Sequence, residues 1–321
     1  MTPSPQDPPK TSQTPKTSET PDTELPVTDL PVTDLPVTDL PETHRLTAPG
    51  GRRITYCSYG DPAAPPVIVL HGTPGSRYEG LALRQAATDA GLHLVFPDRP
   101  GYGGTDPVPG RGFHRWNDDF VALLDHLGHE RATLVAISGG GGYALSAAQQ
   151  HPGRVTRLIL ACAAVPGAPR SAYARRIPLV KWLNRIVVRA PVIARPMLAG
   201  KGIFKKTRRE PNLDAWPRSD RLIMSTPAFR ALSEVDTAEG QRQGVDATIT
   251  DLAGYSRPLP DPLGSVSVPT LFLHGDADGN VPVEVARWAH AQIPGAELRT
   301  VPDGGHLFLL ADPEPLLREL T

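Results

Sequence analysis

The hydrophobic positions of this chain come in two textures that alternate along most of its length. Short continuous apolar runs, among them "PVIVLHG", "GLHLVFPD", "ATLVAIS", "VTRLILACAAV" and "PTLFLHG", read as strands buried on both faces. Between them lie stretches with apolar residues at helical spacing. In "RWNDDFVALLDHLG" these are Phe120, Leu123, Leu124 and Leu127, with Gly128 as the stop. A segment near Leu81 to Ala90, then "GYALSAAQQH", "VPVEVARWAHAQI" and "PEPLLREL", read as helices too. "RRITYCSYG", ending at the turn "GDPAAPP", and "AELRTVP" complete the strands. The alternation predicts an α/β fold, a mostly parallel central sheet with helices on both faces. Such sheets place their functional loops at the carboxyl ends of the strands.

The alternation breaks once. From about Val165 to Ser265 no clear strand occurs, and "IPLVKWLNRIVVRAPVIARPM" reads as helices punctuated by proline. The expectation is an inserted helical cap over about residues 165–265, lying on the carboxyl edge of the sheet. Arg170 to Arg209 holds twelve Lys or Arg and no Asp or Glu. Lys181, Arg185 and Arg189 recur every four residues, opposite Leu179, Leu183 and Ile186. This reads first as a lid helix with a solvated charged face. Contact with anionic lipid, or attraction of acidic substrates, is the sharper alternative.

Composition changes the picture mainly at the N-terminus. The chain has 321 residues, 39% of them hydrophobic, and a formal net charge of −1, enough for one large domain or two small ones. Many of its 37 prolines lie in the opening stretch, "MTPSPQDPPKTSQTPKTSETPDTELP" followed by the five-residue repeat of "LPVTDLPVTDLPVTDLPETH". This composition buries too little apolar area to offset ordering, and a proline at every fifth position excludes helix and central strand. Residues 1–43 are therefore expected to be an extended, disordered acidic tail, and residues 44–321 the folded domain. The tail is either a low-complexity extension or an interaction arm. It lacks the apolar core of a signal peptide, and no run reaches the length of a membrane span, so a cytoplasmic protein is expected. Cys57 and Cys162 stand in apolar segments and read as small buried hydrophobes. Sparse aromatic residues and a net charge near zero argue against nucleic acid as a partner.

The candidate chemistry starts at "LVAISGGGGYALSAA". Ser138 ends a strand and stands on the turn into a helix, where a nucleophile is held in a strained conformation with its hydroxyl exposed. Residues two positions away on either side must be small, and they are Ala136 and Gly140. The Gly139 amide is placed to meet an oxyanion formed at Ser138. A phosphate-binding loop fits poorly, because no lysine closes the glycine run and no acid follows the next strand. A serine needs a base and an orienting acid. His306, in "VPDGGHLFLL", follows the last strand, and "LFLHGDADGNVP" offers Asp276 and Asp278 after the strand before it. A second oxyanion donor is available in "VLHGTPGS", where the amide of Thr73 can point inwards.

Together, "HGTPGS", "PDRPGYGGTDP", "AISGGGG", "HGDADGNVP" and "GGHLFL" resemble the α/β-hydrolase fold family in its lid-bearing form, over about His44 to Thr321. The resemblance implies Ser138 as nucleophile, His306 as base, and Thr73 and Gly139 as oxyanion donors. Its spacing of Gly275, Asp278 and Val281-Pro282 selects Asp278 as the acid and leaves Asp276 a loop or capping residue. Ala136 departs from the glycine usual in the family. Asp98 and Arg99 are expected to shape a turn beside the site. The implied activity is hydrolysis of a carboxylic ester of a small molecule through an acyl-enzyme, with no metal or organic cofactor. The serine separates the chain from the family's epoxide hydrolases and haloalkane dehalogenases, which use aspartate. Prolyl-type aminopeptidase, acyltransferase or carbon–carbon hydrolase action on the same triad are the enzymatic alternatives, and a non-catalytic binding protein is the alternative of another class.

Overall fold

A computed structural model describes residues 39–108, 110, 112–200 and 213–321. The expected tail falls almost wholly on residues 1–38, and part of the basic stretch on residues 201–209; both lie outside the described residues. The apolar runs form one sheet of eight strands: β1 His44–Thr47, β2 Arg53–Gly60, β3 Pro66–Leu70, β4 His93–Pro97, β5 Ala132–Ile137, β6 Val155–Ala161, β7 Thr270–Gly275 and β8 Glu297–Val301. Their order across the sheet is β1-β2-β4-β3-β5-β6-β7-β8. β2 is antiparallel to both β1 and β4, and every other pairing is parallel.

The period of two along each strand divides the core between the two faces. Ile68, Leu70, Leu134, Leu158 and Leu160 join one apolar cluster, while Val67, Val69, Val135 and Ile159 join the other. The first face is covered by α2 (Asn117–His126) and α3 (Gly141–Gln150), with Phe120, Leu123 and Leu124 of α2 fully buried. Against the second pack α1 (Arg84–Asp89) and the C-terminal turns. The helix expected near Leu81 is in fact two pieces. A 3-10 segment, Arg77–Leu83, is capped by the Ser76 hydroxyl, which accepts from the Tyr78 amide, and α1 follows it. Gly80 lets this segment press onto the Phe96 ring, which would lie 2.7 Å from any Cβ there.

Between β6 and β7 the chain makes α4 (Pro178–Arg189), α5 (Pro191–Leu198), α6 (Arg218–Ser225), α7 (Pro227–Gly240) and α8 (Asp246–Gly254). Three of these begin on proline, which has no amide to leave unbonded at a first helical position. On α4 the packed stripe is Leu183, Ile186 and Val187. Leu179, expected on that stripe, is 60% exposed instead. After β7 comes α9 (Val283–His290), and after β8 the two short helices α10 (Phe308–Ala311) and α11 (Glu314–Leu317). Among the described residues no helix is long and apolar enough to cross a membrane.

Candidate active site

β5 runs straight into a 3-10 turn, Ser138–Gly140, that leads into α3. Ser138 sits at φ 48°, a left-handed conformation that costs a non-glycine residue on the order of 1–3 kcal/mol. The turn is held from outside. Its carbonyl accepts from the Ala164 amide at 2.8 Å, and the Tyr255 hydroxyl donates to the Gly139 carbonyl at 2.9 Å. Each of the four glycines is needed for close approach. A methyl on Gly139 would strike the Thr73 side chain, one on Gly141 the Ala164 carbonyl, one on Gly140 the Leu70 carbonyl at 2.6 Å, and one on Gly142 the Phe113 ring at 2.8 Å. Ala136 is accommodated within β5, fully buried between Leu70 and Leu160.

The structure brings the three expected side chains into one chain of hydrogen bonds. His306 Nε2 lies 2.9 Å from Ser138 Oγ, and His306 Nδ1 lies 2.8 Å from Asp278 Oδ2. The other Asp278 oxygen accepts from the Asn280 and Val281 amides, both at 2.8 Å. Among the described residues it is Asp278, and not Asp276, that meets His306. Burial pushes the Asp278 carboxyl up. The charge of His306 and the hydrogen bonds from His306 and His274 outweigh that and hold it well below the usual carboxylate range. Burial likewise disfavours the His306 imidazolium, but Asp278, by charge and hydrogen bond, together with Asp220, raises its pKa above the ordinary value.

Thr73 and Gly139 also meet. The Thr73 nitrogen would lie 3.0 Å from a Cβ built on Gly139, and Ser138 Cβ 3.5 Å from one built on Gly72, so the loop after β3 is packed against the serine. Arg99 fixes that loop. Its guanidinium donates to the Gly72 carbonyl at 2.8 Å and to Thr73 Oγ1 at 2.7 Å. The Arg99 amide donates to His71 Nε2 at 3.1 Å, so the proton sits on Nδ1, 2.8 Å from the Gly72 carbonyl. Asp98 braces the turn behind, accepting from Arg77, Thr55 and the Gly104 amide.

A cavity of about 320 Å³ opens onto Ser138 and His306. Its walls are largely apolar, with Trp216, Met224, Phe229 and Leu232 from the inserted segment facing Ile137 and Leu309. Two acids also line it. Glu79 accepts from the Gly72 amide at 2.6 Å, and Asp236 accepts from the Ser76 amide and hydroxyl. Burial raises Glu79 to about 7 and Asp236 well above the usual range, the charge of Glu79 adding to the latter.

Several contributors gave no sequence signal. Asp220 of α6 accepts the His306 and Leu307 amides at 3.0 and 2.9 Å and so positions the histidine loop. Asp251 of α8 is the buried partner of Arg99 and accepts from the Tyr102 and Tyr143 hydroxyls. Cys162 packs beside the triad, not merely in a strand; its sulfur, an Asp278 oxygen and a His306 nitrogen lie within 4.8 Å of one another. Such a trio has the ligand types for a soft metal ion. The Asp278 and His306 atoms are already committed to each other, however, and burial raises the Cys162 thiol well above its usual range, which keeps it protonated.

A model of the alpha/beta hydrolase fold matches residues 65–313. Epoxide hydrolase A of Mycobacterium tuberculosis is 36% identical over 132 residues, which is 40% of this chain and 40% of that enzyme. Pimeloyl-[acyl-carrier protein] methyl ester esterase of Aromatoleum aromaticum is 28% identical over 250 residues, covering 78% of this chain and 94% of the other. Among solved structures, an alpha/beta hydrolase fold protein from Nakamurella multipartita superposes with a TM-score of 0.61 at 26% identity, covering 87% of this chain and 97% of its own. Both named relatives are hydrolases, which supports hydrolase activity here.

Proposed function

The chain belongs to the alpha/beta hydrolase fold family, and from that premise we propose that it is a serine hydrolase cleaving a carboxylic ester of a small molecule through an acyl-enzyme. What carries the reading is the unbroken contact from Asp278 through His306 to Ser138, at the floor of a largely apolar cavity. Ser138 stands where the family's epoxide hydrolases and dehalogenases carry aspartate, which favours acyl transfer over their chemistry.

His306 Nε2 takes the Ser138 proton as Oγ attacks the ester carbonyl carbon. The carbonyl electrons move to its oxygen, and the amides of Thr73 and Gly139 stabilise that oxyanion; losing one such donor typically costs about 3 kcal/mol. The intermediate collapses, the carbon–oxygen bond of the alcohol breaks, and His306 returns its proton to the departing alkoxide. Water, deprotonated in turn by His306, attacks the acyl carbon. The carbon–Oγ bond then breaks and His306 returns the proton to Ser138 Oγ, freeing the acid and the serine. Asp278 holds the imidazole with Nδ1 protonated and stabilises the imidazolium between these steps. The helices between β6 and β7 act as the cap, and their apolar residues in the cavity wall select the acyl or alcohol group.

The test is fluorophosphonate labelling together with hydrolysis of a chromogenic short-chain ester. Ser138 takes the label, and Ser138→Ala loses roughly 10⁴-fold or more in kcat while still folding. Folded wild-type protein that leaves Ser138 unlabelled refutes the proposal.

A further inference from the structure

α4 and α5 form the least covered apolar surface of the described residues. Five of the six exposed large hydrophobic side chains lie here: Leu179, Trp182, Val188, Val192 and Ile193, with Val192 84% and Ile193 53% exposed. The same hairpin is strongly basic. Residues 170–200 hold seven Lys or Arg and no acid. Beside the apolar rim runs a groove of about 470 Å³ lined by Arg170, Arg176, Lys181, Arg185 and Arg189, with no acidic residue in its lining. Arg175 and Arg195 pair with Glu284 and Asp246. Lys181, Arg185 and Arg189 have no carboxylate partner among the described residues; Lys181 bonds only the Ala174 carbonyl, at 2.6 Å.

We propose that the exposed face of α4 and α5 docks this protein on an anionic lipid bilayer, with Leu179, Trp182, Val192 and Ile193 entering the headgroup boundary and the basic groove receiving lipid phosphates. Two observations point to this occupant. Charge without apolar exposure describes a solvated helix, and apolar exposure without charge describes a protein interface. Their interleaving on one surface hairpin, with an indole at the rim, is the pattern of a helix lying in the plane of a membrane interface. A second copy of the chain fits badly, because a two-fold contact lays this face on itself and would set one acid-free basic groove against another. The inference does not depend on the proposed ester chemistry.

The test is sedimentation of the full chain with vesicles of phosphatidylcholine alone, and with phosphatidylcholine containing phosphatidylglycerol. The protein pellets with the anionic vesicles only, and added salt releases it. Each cation removed near the surface weakens binding roughly fivefold, so Arg185→Gln with Arg189→Gln weakens it about 25-fold. Trp182→Ala, which withdraws a ring's worth of apolar contact, weakens it roughly tenfold. These side chains are on the surface and outside the cavity at Ser138, so the variants keep the wild-type melting curve and the wild-type rate on a soluble ester. Four outcomes overturn the proposal: no binding to anionic vesicles at low salt, equal binding to both vesicle types, binding untouched by the variants, or a dimer that Trp182→Ala dissociates. Vesicle binding that emerges only after residues 1–38 are deleted assigns the face to the acidic N-terminal segment and overturns it as well.

Discussion

Replacing Asp251 with asparagine keeps the side-chain volume and removes one charge from a fully enclosed pair. Arg99 is 0% and Asp251 2% exposed in side-chain terms, so neither charge is solvated. Three short donors converge on the carboxylate, the Arg99 guanidinium, the Tyr102 hydroxyl at 2.9 Å and the Tyr143 hydroxyl at 2.5 Å, and the Thr73 hydroxyl adds a longer contact at 3.4 Å. Hydrogen bonds to a charged group contribute about 1.5–3 kcal/mol each, so three sum to about 5–9 kcal/mol as an upper bound. The asparagine carbonyl still accepts from one or two of these donors. The measured cost of breaking one side of a buried ion pair, about 3–5 kcal/mol, is the better figure. That is a large share of a domain's usual 5–15 kcal/mol. Urea unfolding followed by circular dichroism should show this loss with an unchanged slope. Because Arg99 also holds the Gly72 carbonyl and Thr73 Oγ1, kcat on a soluble ester should fall while KM changes little, the signature of a lost transition-state contact. Combining Arg99→Met with Asp251→Leu should recover at least about 1 kcal/mol relative to the sum of the two single changes. If Asp251→Asn unfolds within about 1 kcal/mol of wild type, or the two single losses simply add, the pair does not tie the loop to α8 and the reasoning fails.

Other expectations follow from single distances and shifts. Gly140→Ala should cost about 1–3 kcal/mol, since its methyl would sit 2.6 Å from the Leu70 carbonyl, while Gly153→Ala, which meets nothing within 4 Å, should stay within about 0.5 kcal/mol; equal melting temperatures would contradict this. The proposed mechanism needs neutral His306, and its pKa is raised, so kcat/KM for an ester should rise with pH through an apparent value above the ordinary ~6.5; a limb well below that would be inconsistent. Burial raises Glu79 to about 7, so the folded state keeps a proton that the unfolded chain has already lost, and stability falls as pH rises from about 4.5 to about 7. Glu79→Gln, whose carbonyl still accepts the Gly72 amide, should therefore be more stable than wild type at pH 8 and about equal at pH 4, as read from urea midpoints.

How much of this was legible in the sequence depended on whether the signal was local. β3, β4 and β7 are buried at every residue, and a continuous apolar run between turn residues records that directly. β1 was missed because it is four residues long and contributes one buried apolar side chain, Leu46. The meeting of Ser138, His306 and an acid from Asp276 or Asp278 was legible because each lies in the loop after a strand and parallel strands bring their carboxyl ends together. Position alone left the two acids open, and only the spacing of the family resemblance pointed to Asp278. The exposure of Leu179 was not, because helical spacing gives a residue's face without saying what covers it. Arg99 was seen only as part of a turn. Its partner Asp251 lies 152 residues along the chain, and no window of sequence relates the two.

The residues that sequence missed share one logic. α6, α7 and α8 each send one buried acid to a different loop at the strand ends: Asp220 to the amides of His306 and Leu307 after β8, Asp236 to Ser76 after β3, and Asp251 to Arg99 after β4. A carboxyl oxygen accepts hydrogen bonds, so each acid suits the backbone amides, the hydroxyl and the guanidinium that these loops present. In the sequence each acid looks like part of a solvated helical face; in the fold each one clamps. The three contacts also constrain motion. Lifting α6, α7 and α8 together would strip donors from three buried acids at about 1.5–3 kcal/mol each, a sum comparable to the stability of a whole domain. If Ser138 is the nucleophile, substrate is expected to enter by movement of side chains in the cavity wall, such as Trp216, Met224 and Phe229. Phe229→Ala should then raise kcat/KM for a bulky ester more than for a short one, and equal effects on both would refute this.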